Sequence, residues 1–156
     1  MTSKLIDTPA KDFLIERYKY ILGQKKDLNE RSFKIASVFQ ALLLLVASGQ
    51  YKVVLDLEGG SIGADRGILV SWAMFAFVCI ATACYLSLLL GGLFAWIKYR
   101  GDEATIEADV FGAARSPPRV KDCLRWYETY LIVAGLAAPL VHFIFLRYLV
   151  CTFALG

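Results

Sequence analysis

The chain has 156 residues, 58% hydrophobic and 20% charged, with a formal net charge of +3. That length suits one domain, and so small a charge excludes a nucleic-acid binder driven by overall charge, though not a local basic surface. The apolar residues gather in three long runs instead of spreading as in a soluble core, so the sequence reads as an all-α integral membrane protein with three transmembrane helices.

Residues from about 9 to 32 read as an amphipathic helix. Thr8 is placed to cap it, and Pro9 suits the first helical position. Leu14, Tyr18, Ile21 and Leu28 fall at spacings of four, three and seven, which lays one apolar stripe along the helix. Asp27 with Arg31 and Glu30 with Lys34 are acid-before-base pairs at i,i+4, each expected to add a few tenths of a kcal/mol. Gly23 is the weak point of the segment. A short basic end running at once into an apolar stretch is absent, so the first span is expected to act as an uncleaved insertion signal.

The first span is placed at about residues 34–55. Ile35 to Tyr51 holds 17 residues without a charge, and no proline separates this run from the preceding helix. The stripe continues through Ile35, Phe39 and Leu42, which predicts one helix packed along its whole length. Lys52 to Arg66, with Gly59, Gly60 and Gly63, is expected to be a loop. The second span follows at 67–97, where 31 residues contain no Asp, Glu, Lys, Arg or His. A hydrocarbon core needs about 20 residues, so this helix must tilt or project; Gly91 and Gly92 offer a place to bend.

Residues 101 to 126 are expected to form a charged loop, part of a helical hairpin between spans 2 and 3 over about 98–127. Glu103 to Ala114 suits a short helix. Ser116, Pro117 and Pro118 break the chain, and a second helix starts at Pro118. The third span is placed at about 128–150, with His142 inside it and Arg147 near its end, close enough to snorkel.

Lys and Arg number eight through Lys34, two in the first loop and six from Lys98 to Arg125. The positive-inside rule therefore places the N-terminus and the second loop in the cytosol. Trp96, Tyr99, Trp126 and Tyr127 fit an aromatic belt at that interface. The organisation expected is a cytosolic amphipathic helix over 1–33, then a transmembrane domain over 34–156 with the cytosolic loop 98–127. The cytosolic parts are too small for a confident core of their own, so packing on each other and on neighbouring copies is expected.

The sequence contains no GxSxG, HExxH or GxxxxGK[ST] pattern, and no enzyme activity, metal or cofactor is expected. The acids of the second loop, Asp102, Glu103, Glu107 and Asp109, are spaced like the solvated face of a short helix. Cys79, Cys84, Cys123 and Cys151 form no CxxC pair and have no histidine nearby for a zinc site; Cys79 and Cys84 act as small apolar residues.

Three other sets of residues stand out. Cys79, Ala83, Ser87, Gly91 and Ala95 recur every four residues, a small-residue stripe that lets helices approach closely, either in an oligomer or against the chain's own spans. Ala134, Gly135 and Ala138 are a weaker version. Gln40 is a costly amide in lipid unless it finds a partner or faces water; with Ser37 and Leu44 it is a candidate for a pore-facing position, or else glue between helices. His142 is open to the same two readings. Lys25, Lys26, Arg31 and Lys34, with Arg115, Arg119, Lys121 and Arg125, are placed to meet anionic headgroups or an anionic ligand such as a nucleotide or oligonucleotide.

The stretch Glu16-Arg-Tyr-Lys-Tyr-Ile-Leu-Gly-Gln-Lys-Lys-Asp-Leu-Asn-Glu-Arg31, running straight into a span, resembles the entry of small bacterial anti-phage membrane effectors of the SLATT type. The resemblance is one of layout. It covers roughly residues 13 to 55, carries no catalytic residue across, and departs from the two-span pattern by a third span. It implies a bacterial inner-membrane, multi-pass protein that assembles from four or more copies into an ion-conducting pore under the control of a cytosolic partner or nucleotide signal. A non-conducting anchor that recruits a cytosolic enzyme is the alternative, and a holin-like lysis protein a third.

Overall fold

The computed structural model describes residues 8–111 and 127–153. Three helices account for nearly all of them: α1 (Thr8–Glu58), α2 (Ala64–Phe111) and α3 (Tyr127–Phe153). All three are long and apolar enough to cross a membrane. Their outward surface is as greasy as their composition implies. Leu44 is 69% exposed, Leu69 70% and Ile80 65%, and Val133, Leu140 and Ile144 also face outward. Water would not tolerate so much exposed apolar area, whereas lipid is its natural solvent. The chain is thus built as a multi-pass membrane protein.

The helices outrun the expected elements. Residues 52–58, read as loop, are the end of α1, and residues 64–66 already belong to α2. The turn is only residues 59–63. Asp56 and Glu58 do not stop a helix, and the Lys52 ammonium reaches the Asp56 carboxylate one turn on, at 3.3 Å. What ends α1 is Gly60, which takes φ = 65°. Its N–H donates to the Leu57 carbonyl (3.1 Å), and the Ser61 N–H donates to that of Asp56 (2.8 Å). This pair of bonds is the Schellman ending, which needs a left-handed residue that glycine supplies without a Cβ clash.

Likewise 101–111 is not loop. α2 runs through Gly101 to Phe111 without a break, in place of a separate helix starting at Glu103. A single glycine in a long helix costs only about 1 kcal/mol, too little to end it. Residues 112–126, which include Cys123, the Ser116–Pro118 break and the second arm of the hairpin, lie outside the described residues.

The chain divides into two compact units. One comprises Met1–Phe33 with Leu90–Trp126, the other Lys34–Leu89 with Tyr127–Gly156. In the first, α1 and α2 run antiparallel: Tyr18 meets Glu107, and Lys25 meets Glu103. Ile21 and Ile106 are buried in it, the former on the stripe read from the sequence. In the second unit α1, α2 and α3 form a three-helix bundle. Phe39 stacks on Tyr85 with ring centroids 4.1 Å apart, in a cluster with Ala36 and Leu89. A second cluster joins Val53, Leu57 and Leu149.

Close approach within the bundle rests on three glycines. A Cβ on Gly49 would sit 2.8 Å from Met74, one on Gly67 2.7 Å from Leu57, and one on Gly135 2.6 Å from the Tyr85 ring. Pro139 lies inside α3, where its missing N–H leaves a carbonyl one turn back without its helical donor.

Candidate functional site: an outward polar face and two inward polar clusters

The polar side chains of the spans sort into those turned out and those turned in. On α1, Ser37, Gln40 and Leu44 are all exposed. They are spaced three and four apart and so share one face. Ser48, next along that face, returns its hydroxyl to the Leu44 carbonyl at 2.8 Å. The Gln40 amide makes no hydrogen bond among the described residues. The buried face is instead that of Ala36 and Phe39. Gln40 thus joins no two of the described helices by a hydrogen bond.

The small-residue stripe of α2 behaves in the same way. Ala83, Ser87 and Gly91 are exposed, while Cys79 and Ala95 are half-buried. Ser87 spends its hydroxyl on the Ala83 carbonyl at 2.8 Å. A Cβ added at Gly91 would meet nothing within 4 Å. The bundle packs instead through Val78, Tyr85 and Leu89. In the third span Gly135 is buried against Tyr85, and Ala138 packs against the same cluster.

Two inward polar clusters were not foreseen. The first is ionic. Glu103, read as part of a solvated acidic face, is only 3% exposed. It accepts from Lys25 at 2.8 Å and from Arg100 at 2.7 Å. The Lys25 ammonium also lies 5.4 Å from the centre of the Trp96 ring, within cation–π range. Burial alone would raise the Glu103 pKa; the hydrogen bonds and charges of Lys25 and Arg100 outweigh it and hold the carboxyl below its usual range. Glu103 lies six residues beyond the charge-free run of span 2. Tyr18 donates to Glu107 in the same unit, at 3.3 Å.

Lys25 is thus turned inward and shares the single Glu103 carboxylate with Arg100, so the trio keeps one positive charge. Lys26, Arg31 and Lys34 are exposed. The ion pairs expected from Asp27 to Arg31 and from Glu30 to Lys34 do not form. In water such exposed pairs gain about as little as the side-chain entropy they cost. Arg115, Arg119, Lys121 and Arg125 lie outside the described residues.

The second inward cluster is neutral and sits within the bundle. Gln50 is 4% exposed and Ser71 fully buried. The Gln50 amide nitrogen donates to Ser71 Oγ at 2.6 Å, and that hydroxyl donates to the Gly67 carbonyl at 2.9 Å. His142 stacks on Phe75 nearby in α2, ring centroids 5.9 Å apart. In the sequence Gln50 looks like the rim of a loop, because Lys52 follows two residues later. The extension of α1 to Glu58 moves Gln50 inside the helix.

No protein family matches the chain, and no curated protein or solved structure matches it either. Among the described residues no three histidine, cysteine or acidic side chains converge as metal ligands would.

Proposed function

We propose that this chain is the subunit of a homo-oligomeric membrane effector whose assembled copies form or gate a path for ions. The observation that carries the reading is Gln40. An amide on the outer face of a span, with no hydrogen bond among the described residues, is costly in lipid and is relieved by facing water or a neighbouring copy. Ser37 and Ser48 on the same face add hydroxyls. The exposed small residues Ala83, Ser87 and Gly91 on α2 supply a surface on which another helix can seat closely. The pore is assigned to the α1 face and the contact between copies to the α2 stripe.

The setting we propose is the one that the layout of residues 13 to 55 suggests, a bacterial inner-membrane effector of anti-phage defence. The N-terminus and the segment between spans 2 and 3 lie in the cytosol, and a cytosolic protein or nucleotide signal controls opening. Lys26, Arg31 and Lys34 remain as cations for such a signal or for anionic headgroups.

One observation favours the second reading, a non-conducting anchor. Phe13 and Tyr20, before the first span, are 65% and 60% exposed. Seven residues apart, they share a helix face on which a cytosolic enzyme could dock.

Conductance across a planar bilayer separates the two. An effector gives discrete single-channel steps that are lost or reduced several-fold in Gln40→Leu, and its expression depolarises cells. An anchor gives no steps in either form.

A further inference from the structure

The second unit holds an apolar groove between α1 and α3, floored by Val78 of α2, with a volume of about 610 Å³. Its size falls within the range of small-molecule sites. Ala47, Ala134, Ala137 and Ala138 create the space, since each is a residue too short to close it. A groove facing lipid and lined only by alkyl groups would call for no particular occupant. This one is also lined by Gln50 and His142, and both carry a buried polar atom without a partner, Gln50 Oε1 and His142 Nε2.

The polarity of the Gln50 atom is settled by its neighbours. Ser71 has one hydroxyl proton and gives it to the Gly67 carbonyl. Gln50 must then present its amide N–H to Ser71 Oγ, which leaves Oε1 as a bare acceptor. His142 Nε2 is buried and unpartnered too. An imidazole nitrogen accepts or donates according to its tautomer, and a hydroxyl group can meet either. The bare Gln50 acceptor calls for a donor. No acid lines the groove to balance a cation, and an unbalanced charge within the spans is expensive.

We propose that this groove binds an uncharged amphiphile, its apolar body along the alanines of α1 and α3 and its hydroxyl group donating to Gln50 Oε1 or hydrogen-bonding with His142 Nε2. The groove adjoins the outward face of α1, since Ala47 and Tyr51 neighbour Gln40 and Leu44 on the helix surface, and it is separate from the small-residue stripe of α2.

The test uses the full chain in nanodiscs with a diazirine-bearing hexadecanol as photoprobe and peptide mapping by mass spectrometry. Saturable labelling within residues 43–54 and 134–145 is expected, with hexadecanol displacing the probe at concentrations about tenfold lower than hexadecane, the discrimination one hydrogen bond supplies. Ala137→Phe, which fills the groove without touching the Gln50–Ser71 pair, should abolish labelling while helicity is unchanged. Gln50→Leu should keep labelling and lose the preference for the alcohol. Displacement by dioleoylglycerol as well assigns the hydroxyl to a membrane lipid; displacement by hexadecanol alone assigns it to a free alcohol. Equal displacement by hexadecane, or full labelling of Ala137→Phe, overturns the proposal. So does an Ala137→Cys chain that cross-links to a second copy and excludes the probe, because the groove is then an interface.

Discussion

At the scale of single residues, the decisive question is whether each polar group in or near the spans has a partner. Glu103 has two, Lys25 and Arg100. Replacing it by Ala strands two cations around a buried position and should destabilise the first unit by about 2 kcal/mol, less than a fully buried pair because both cations reach some water. Reversible unfolding in mixed detergent measures it. The same contacts make a pH prediction. The carboxyl is more acidic in the folded chain than in the unfolded one, so its contribution is complete above the usual carboxylate range. It fades as pH falls below about 4 and the carboxylate takes up a proton. Trp96 fluorescence, with Lys25 beside the ring, should report that loss in wild type and not in Glu103→Gln.

At the scale of elements, the spans were legible because their signal is long. Thirty-one residues without a charge admit one interpretation, and the stripe through Ile21 and Phe39 marked the buried face of α1. The ends were not legible. Loop and helix residues both tolerate charge outside the apolar run, so Lys52 to Glu58 and Gly101 to Phe111 gave no local sign that the helix continues. Gly60 was visible as one of three loop glycines, but only its φ shows that it alone ends α1 by a Schellman pair. Gly60→Val should therefore cost about 1–2 kcal/mol, and Gly63→Ala, with no positive φ and nothing near its Cβ, should cost less. The outward Gln40 and the inward Gln50–Ser71 pair differ only in which way the helix faces, and composition does not carry that information.

Two glycines allow helix packing within the chain to be separated from packing between chains. Gly135→Leu drives a side chain into the Tyr85 ring and should loosen α3 from α2, at about 1–3 kcal/mol. A Cβ at Gly91 meets nothing within 4 Å among the described residues, so Gly91→Leu should leave unfolding unchanged while abolishing assembly, read by cross-linking in membranes. If Gly91→Leu assembles normally, the α2 stripe is not the contact between copies.

At the scale of the whole molecule, three apolar helices with exposed leucines and isoleucines make a membrane protein. Its outward face on α1 is the feature that a solitary three-helix bundle does not account for. On the proposed reading, Gln40, which has no hydrogen bond among the described residues and is flanked by Ser37 and Ser48, faces an aqueous path shared by several copies.

The mass of the purified particle in nanodiscs, by light scattering with the lipid contribution subtracted, tests that claim most directly. A discrete particle of four or more copies is predicted, falling to monomer in Gly91→Leu. A wild-type particle of one or two copies, with or without added nucleotide, would contradict a central pore and leave the anchor in its place.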